Sequence, residues 1–336
     1  MSQAILVTGG AGFIGSNFVP YFCEKYPQYH VINLDLLTYA GNPDNLRECE
    51  SMLNYTFVQG DICDAELISR LFEEYDIRGV IHFAAESHVD NSIKNPLAFI
   101  RTNIEGTFTL INTAYRHWMS GPNQVKPGYE SCRFHHISTD EVYGTLGAEG
   151  FFRETTPYAP NSPYSASKAS SDFIVRAFHH TYGMNVTTSN CSNNYGPKQH
   201  REKLIPLMIE RALAEQPMPV YGAGANIRDW LYVLDHCKAI DLIFHSGRSG
   251  ETYNIGGHNE RNNMQIVHRI CDLLDERRPR SGGKKYADLI TFVADRPGHD
   301  LRYAIDATKL TEELGWHADE NFDTGIVKTV DWYLNH

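Results

Sequence analysis

The sequence predicts a doubly wound α/β fold, a Rossmann-type parallel sheet with a smaller α/β substrate-binding portion beside it. Three observations predict it. Near-continuous apolar runs of strand length alternate with helical patterns through the first half of the chain, the mark of a parallel sheet covered on both faces. A glycine-rich turn, "VTGGAGFIG" (Val7–Gly15), follows the first run and opens a helix. An acidic residue, Asp35, ends the second run twenty residues after Gly15.

In chain order the predicted strands are Ala4–Gly9, His30–Asp35, Thr56–Asp61, Gly79–Ala85, Arg133–Ser138 and Asn185–Asn190. Between them lie helical patterns over Ile14–Tyr26, Ala65–Tyr75, Pro96–His117 and Tyr164–Tyr182. Right-handed crossovers make such a series doubly wound. After about Asn190 the elements shorten and turns multiply, as in "NNYGPKQH" and "EQPMPVYGAG". Residues 1–190 are therefore expected to form the dinucleotide-binding domain and to carry the chemistry. Residues 191–336 are expected mainly to hold substrate, with some segments returning to the first sheet. The basic loop Arg277–Lys285, "RRPRSGGKK", reads as solvated surface.

The bulk numbers exclude several classes. With 42% hydrophobic and 21% charged residues over 336 positions, the chain is globular. A net charge of −11 argues against broad binding to nucleic acid or an anionic membrane surface. Seven dispersed cysteines without a CxxC pair suit a reduced cytoplasmic protein better than a disulfide scaffold. Sixteen histidines form no HExxH or clustered ligand spacing, so no metal is expected. "MSQAILVTGG" runs straight into a strand without a basic segment or cleavage site, and no uncharged run is long enough to span a bilayer.

Gly9, Gly12 and Gly15 make a GxxGxxG turn. Such glycines give a tight turn, close approach of backbone to a pyrophosphate and close packing of helix on strand, while the helix N-terminus offers N–H groups to phosphate. Asp35 stands where a carboxylate grips the adenosine ribose and repels a 2′-phosphate, so NAD is expected rather than NADP. In "GDICD", Asp61 can face the adenine and Asp64 can cap the following helix, and both can hold. "AAESH" (Ala84–His88) ends the fourth strand, where ligands of open α/β sheets collect.

"RFHHISTDEVYG" (Arg133–Gly144) puts Asp140 and Glu141 side by side at the end of a core strand. Either the strand has ended in a solvated loop, or the two are an acid and a base with proton affinities driven apart by partial desolvation. "SPYSASKAS" (Ser162–Ser170) places Tyr164 and Lys168 at i and i+4, on one face of a helix begun by Ser162 and Pro163. An ammonium beside a phenol favours phenolate, a usable base for a sugar hydroxyl. YxxxK alone is common on surface helices. With a dinucleotide turn upstream and Ser138–Thr139 at a strand end, the combination resembles the extended short-chain dehydrogenase/reductase family.

"STDEVYG" with "LTYAGN" (Leu37–Asn42), "HFAAESHVD" (His82–Asp90), "NSPYSASKASSD", "SNNYGP" (Ser192–Pro197), "EKLIP" (Glu202–Pro206), "RDWLYV" (Arg228–Val233) and "RPGHDLRYAID" (Arg296–Asp306) is similar to the nucleotide-sugar 4,6-dehydratases of that family over nearly the whole chain. Members that epimerise usually carry small residues where this chain has Asp140 and Glu141. The resemblance implies a lyase acting on dTDP-glucose with tightly bound NAD. Tyr164 takes the C4 hydroxyl proton beside Lys168, Thr139 bonds the C4 oxygen, Glu141 removes the C5 proton, and Asp140 protonates the departing C6 hydroxyl. It also implies cofactor contacts from Phe13, Ile14, Thr38, Ile62, Ala84 and Ala85, and from Ser87, Thr102 and Asn194. Substrate contacts are implied for Ser87, Thr139, Asn193, Lys203 and Leu204, and further out for Val220, Tyr221, Arg228, Asn263, Arg296 and His299. Arg228 and Arg296 suit a diphosphate and Tyr221 a nucleobase, although an arginine alone is as well explained by a surface ion pair. A homodimer through a four-helix bundle of Pro96–His117 and Tyr164–Tyr182 is likewise implied.

Three places depart from the family pattern: His200 and Arg201 replace an aromatic and a proline, Leu36 falls where a charge is common, and Met119–Cys132 is insertion-like. Two other readings compete. A 4-epimerase or decarboxylase of the same superfamily is opposed by Asp140–Glu141, and a non-catalytic NAD-binding regulator has no use for Thr139, Tyr164 and Lys168.

Overall fold

A computed structural model describes residues 3–294 and 301–336. Seven parallel strands form the main sheet: β1 (Gln3–Thr8), β2 (Tyr29–Asp35), β3 (Tyr55–Gln59), β4 (Ile77–His82), β5 (Arg133–Thr139), β6 (Val186–Cys191) and β7 (Thr252–Ile255). Their order is β7-β6-β5-β4-β1-β2-β3, every neighbouring pair being parallel. Strand order reverses between β1 and β4, and at such a switch point the carboxyl ends of the strands open a crevice. The six strands expected in the first half all form, and β7 arrives from the second half of the chain.

Two apolar layers hold the sheet. Helix α1 (Phe13–Lys25) lies on one face with the helix Val233–Ser246, around Phe18, Phe22, Ile240 and Phe244. The other face carries α2 (Ala65–Tyr75), α3 (Thr107–Trp118) and α4 (Pro163–Tyr182), around Leu71, Ile111, Phe134 and Val175. The helix boundaries follow local chemistry. Asp64 caps α2 by accepting from the amides of Glu66 and Leu67. Ser162 caps α4 in a reciprocal box with Ser165, Pro163 takes the first turn, and Gly183 in the left-handed region ends it.

The expected single helix over Pro96–His117 is interrupted. A short turn, Pro96–Phe99, runs into a π-helical stretch, Ile100–Gly106, before α3 begins. Within it the Asn103 side chain donates to the Glu86 carbonyl (3.0 Å) and to Ser167 Oγ (2.8 Å), and accepts from the Glu86 amide (2.8 Å). These contacts turn the widened segment toward the crevice, and Thr102 lines it.

Beyond β6 a second core surrounds Tyr195, Trp230, Ile270 and Phe322. It is built by the helices Leu204–Leu213, Asn263–Arg277 and Phe322–Asn335, with short strands at 193–195, 227–232 and 260–262 and a parallel pair, 218–221 with 290–293. The insertion-like segment forms a small hairpin at the opposite end of the sheet from the crevice, where Tyr129 bonds Asp76 (2.6 Å) just before β4. Among the described residues no helix is long and apolar enough to cross a membrane.

Candidate active site

The crevice is floored by the glycine turn. Gly9 has φ +75°, and a Cβ there would stand 2.6 Å from the Ala84 amide nitrogen. A Cβ on Gly15 would lie 2.4 Å from the Gly9 carbonyl oxygen. The turn and the start of α1 therefore pack too closely for side chains. Gly12 is the N-cap, so the first-turn amides of Phe13, Ile14 and Gly15, which have no intrahelical acceptor, border the crevice. Asp35 is 9% exposed at the end of β2, its oxygens accepting from the amides of Ala11 (2.9 Å) and Leu37 (2.8 Å). Each oxygen keeps a lone pair for a diol. Asp64 caps α2, as one reading of "GDICD" expects, and Asp61 borders the cavity, where the other would place it. Thr38, Ile62, Ala84, Ala85, Ser87, Thr102 and Asn194 also line it. Amides for phosphate, a paired acceptor for a ribose and an apolar slot fit a dinucleotide.

The chemistry end lies at the tip of β5. Thr139, Asp140, Glu141, Tyr164 and Lys168 all face the same cavity. The Thr139 hydroxyl reaches Asp140 Oδ1 (3.4 Å), accepts from the Glu141 amide (3.3 Å) and hydrogen-bonds Tyr164. Asp140 is 2% exposed, and its Oδ2 is buried with no hydrogen-bond partner among the described residues. Burial first, then the neighbouring Glu141, push its carboxyl well above the usual range. Glu141 is only half-buried. The pair thus divides into a buried member with raised proton affinity and a more open one, and the solvated-loop reading fails for Asp140.

One expectation reverses. Lys168 is expected to lower the Tyr164 phenol, yet the phenol is held well above its ordinary value, by burial and then by Glu141. The lysine spends a hydrogen bond on the Ile137 carbonyl (2.8 Å), and burial brings it down to about 8.

The expected substrate contacts divide. Ser87, Thr139, Asn193 and Lys203 line the cavity, whereas Leu204, Val220, Tyr221, Arg228 and Asn263 do not. Leu204 and Val220 pack into the second core. Tyr221 is exposed, and the Asn263 amide bonds the Asn226 carbonyl. Arg228 is buried, stacks over the Tyr303 ring at 4.3 Å and donates to the Ile227 carbonyl (2.7 Å). It is still near enough to Asp140 to oppose that group's rise. Arg296 and His299 lie outside the described residues.

Sequence reasoning missed several lining residues: Glu86 and His88 after β4, Tyr39, and Gln199 and His200 after Pro197. His200 meets Tyr39 edge to face at 5.6 Å across the mouth. The departure from the family pattern there thus shapes the rim, as does Leu36, while Arg201 turns outward to Glu210. The quoted stretches contain these residues, but only their place at strand ends could have signalled them.

Comparison with known proteins agrees with this geometry. The family model described as GDP-mannose 4,6 dehydratase matches residues 6–329. A dTDP-glucose 4,6-dehydratase of Xanthomonas campestris pv. campestris is 56% identical over 331 residues, 98% of this chain and 93% of that protein. The crystal structure of DesIV, a dTDP-glucose 4,6-dehydratase from Streptomyces venezuelae with NAD bound, superposes with a TM-score of 0.89 at 44% identity, covering 99% of this chain and 98% of that one. A second, from Bacillus anthracis in complex with NAD, gives 0.87 at 45%, covering 99% and 97%.

Proposed function

The chain belongs to the GDP-mannose 4,6 dehydratase family, and from that premise we propose that it converts dTDP-glucose to dTDP-4-keto-6-deoxyglucose and water, with NAD bound. The observation that carries this reading is the buried Asp140 beside the more open Glu141, at the strand end that also bears Thr139 and faces Tyr164. An elimination needs an acid and a base in different protonation states within reach of adjacent carbons. An epimerase needs neither carboxyl, and a regulator needs none of the five.

NAD, when bound, supplies a reversible hydride acceptor. The glycine turn, the first turn of α1 and Asp35 would hold it. Tyr164 takes the proton of the C4 hydroxyl. Its own proton is firmly held, so the Thr139 hydroxyl and the Lys168 ammonium are needed to favour phenolate, and Thr139 also bonds the C4 oxygen. Once C4 is a ketone, the C5 proton is acidic and Glu141 removes it. Asp140, which keeps its proton because it is buried, delivers it to the C6 oxygen, so the C6–O bond breaks and water leaves. The C5=C6 bond left behind is saturated when C6 regains the hydride that C4 gave up and Glu141 returns its proton to C5. Lys203, at the N-terminus of Leu204–Leu213, and Asn193 suit the diphosphate side. Arg228, Tyr221 and the other expected contacts of the second half would complete that side around the nucleotide.

Incubation with dTDP-glucose deuterated at C4 tests the reading. Deuterium at C6 of a 4-keto-6-deoxy product is expected. Deuterium retained at C4 of an inverted sugar would favour the epimerase, and no turnover with NAD bound the regulator.

The same reading makes the protein a homodimer. Leu97, Ile100, Phe108 and Phe173 are exposed on the helices expected to pair, an apolar face that a four-helix bundle would cover. Sedimentation should give twice the chain mass, and a monomer at micromolar concentration would dismiss the dimer. Cytoplasmic location suits the seven unpaired thiols.

A further inference from the structure

Beneath the cleft, α4 places Asp172 one turn beyond Lys168, facing the end of β5. Its side chain is 5% exposed, and three groups converge on it. His136 Nε2 lies 3.0 Å from Oδ1, while the hydroxyls of Ser138 (2.8 Å) and Tyr158 (3.0 Å) donate to Oδ2. Tyr158 in turn accepts from Asn190 Nδ2 (3.2 Å), which leaves its own proton for Asp172. His136 Nδ1 is buried without a hydrogen-bond partner among the described residues. A proton on Nδ1 would be a buried unpaired N–H and would set Nε2 lone pair against carboxylate lone pair. The neutral ring's proton therefore sits on Nε2 and points at Asp172. A buried carboxyl receiving three donors is arranged as an anion.

That anion lies beside a lysine in need of one. Lys168 Nζ is 3.5 Å from His136 Nε2, but that nitrogen is committed to Asp172, so the lysine's hydrogen bond goes to the neutral Ile137 carbonyl. The titratable groups facing Lys168 are Tyr164 and Asp172 on its own helix, His82 on β4, His136 on β5 and Cys191 on β6. Both histidines are held neutral by burial, and burial lifts the Tyr164 phenol and the Cys191 thiol. Asp172 is faced by Lys168, His136, Ser138 and Tyr158, with Tyr143 nearby.

We propose that Asp172 is a positioning residue for the reaction: its carboxylate is the counter-ion that keeps the Lys168 ammonium charged, and through Ser138 and His136 it anchors the end of β5 that presents Thr139, Asp140 and Glu141. It touches neither sugar nor cofactor and acts through Lys168 and the strand. Burial pulls the lysine down, Asp172 is the largest influence opposing that fall, and the balance leaves it at about 8. Asp172 itself is raised to about 6 by burial and so is ionised at neutral pH.

The proposal rests on the dehydratase reading for its activity assay, and two readouts keep the failures apart. In the full-length protein, the kcat/KM profile on dTDP-glucose should fall on the alkaline side as Lys168 loses its proton. Asp172→Asn keeps the shape and removes the charge. Its alkaline limb should move down by about one pH unit, roughly a further tenfold loss above that limb. Tyr158→Phe removes one donor, so Asp172 should hold its proton to higher pH. The acid limb then moves up while the alkaline limb stays. NMR of 13Cε-labelled lysine follows the Lys168 titration directly, and its shift in Asp172→Asn does not depend on which sugar is the substrate. Unmoved limbs with an equal loss at every pH, or an unmoved Lys168 titration, would overturn the assignment. If Asp172→Asn fails to fold, Tyr158→Phe decides: a moved acid limb supports the proposal and an unmoved one ends it. Wild-type protein that makes no 4-keto product sinks the dehydratase reading alone, and the NMR titration then judges Asp172.

Discussion

The two halves of the molecule place their functional residues by different means. In the first half every expected site residue faces one cavity. Most sit at the carboxyl end of a parallel strand or on the turn after it, and Thr102, Tyr164 and Lys168 are brought to the same edge by the π-helical stretch and by α4. Sheet topology alone delivers the strand-end positions to that common edge. In the second half, among the described residues, only Asn193, Asn194 and Lys203 of those expected reach the cavity. Of the other described ones, Arg228 is engaged over Tyr303 and Val220 in the second core, while Tyr221 stands exposed. The residues expected to carry chemistry are thus placed by the edge of the parallel sheet. Substrate contacts are built on parts whose arrangement depends on many local choices.

If that contrast is right, removing one hydroxyl at the sheet edge should outweigh larger losses in the second half. Tyr164→Phe keeps the ring, which meets Phe99 edge to face at 6.2 Å. It should lower kcat by about 10³-fold, within the range for losing a positioned acid–base group, while NAD stays bound. A fall of less than tenfold in steady-state assays would break the comparison. Glu141→Gln probes the same strand end more finely. C5 exchange with solvent deuterium should drop by about 10²-fold, with C4 oxidation still visible as NADH absorbance. Normal dehydration by this variant would mean the base lies elsewhere, and Asp140 would be the group to re-examine.

How much of this could be read in the sequence follows the same divide. Gly9, Gly15, Asp35, Tyr164 and Lys168 are legible because strand, turn and helix periodicities fix their place, whatever surrounds them. The π-helical stretch at Ile100–Gly106 is not, since Asn103 is turned by Glu86 and Ser167, partners 17 and 64 residues away. Asp172 is equally hidden. A carboxylate four residues after a lysine reads as an exposed helix pair, and only the packing of α4 on β5 buries it. The direction of the Tyr164 shift fails for a related reason: spacing shows that an ammonium is near, but not that burial and Glu141 outweigh it.

The mildest change should come from Tyr221, 46% exposed at the end of the 218–221 strand. Its ring can lie against a nucleobase, and stacking on one base is worth on the order of 1 kcal/mol. Tyr221→Ala should therefore raise KM for dTDP-glucose about fivefold, with kcat within a factor of two, because the ring reaches no group that moves a proton. Steady-state kinetics separate the two parameters. A kcat loss approaching that of Tyr164→Phe would place the second half in the chemistry after all. An unchanged KM would remove Tyr221 from the nucleotide site and leave Asn193 and Lys203, the expected contacts that do face the cavity, to hold that end of the substrate.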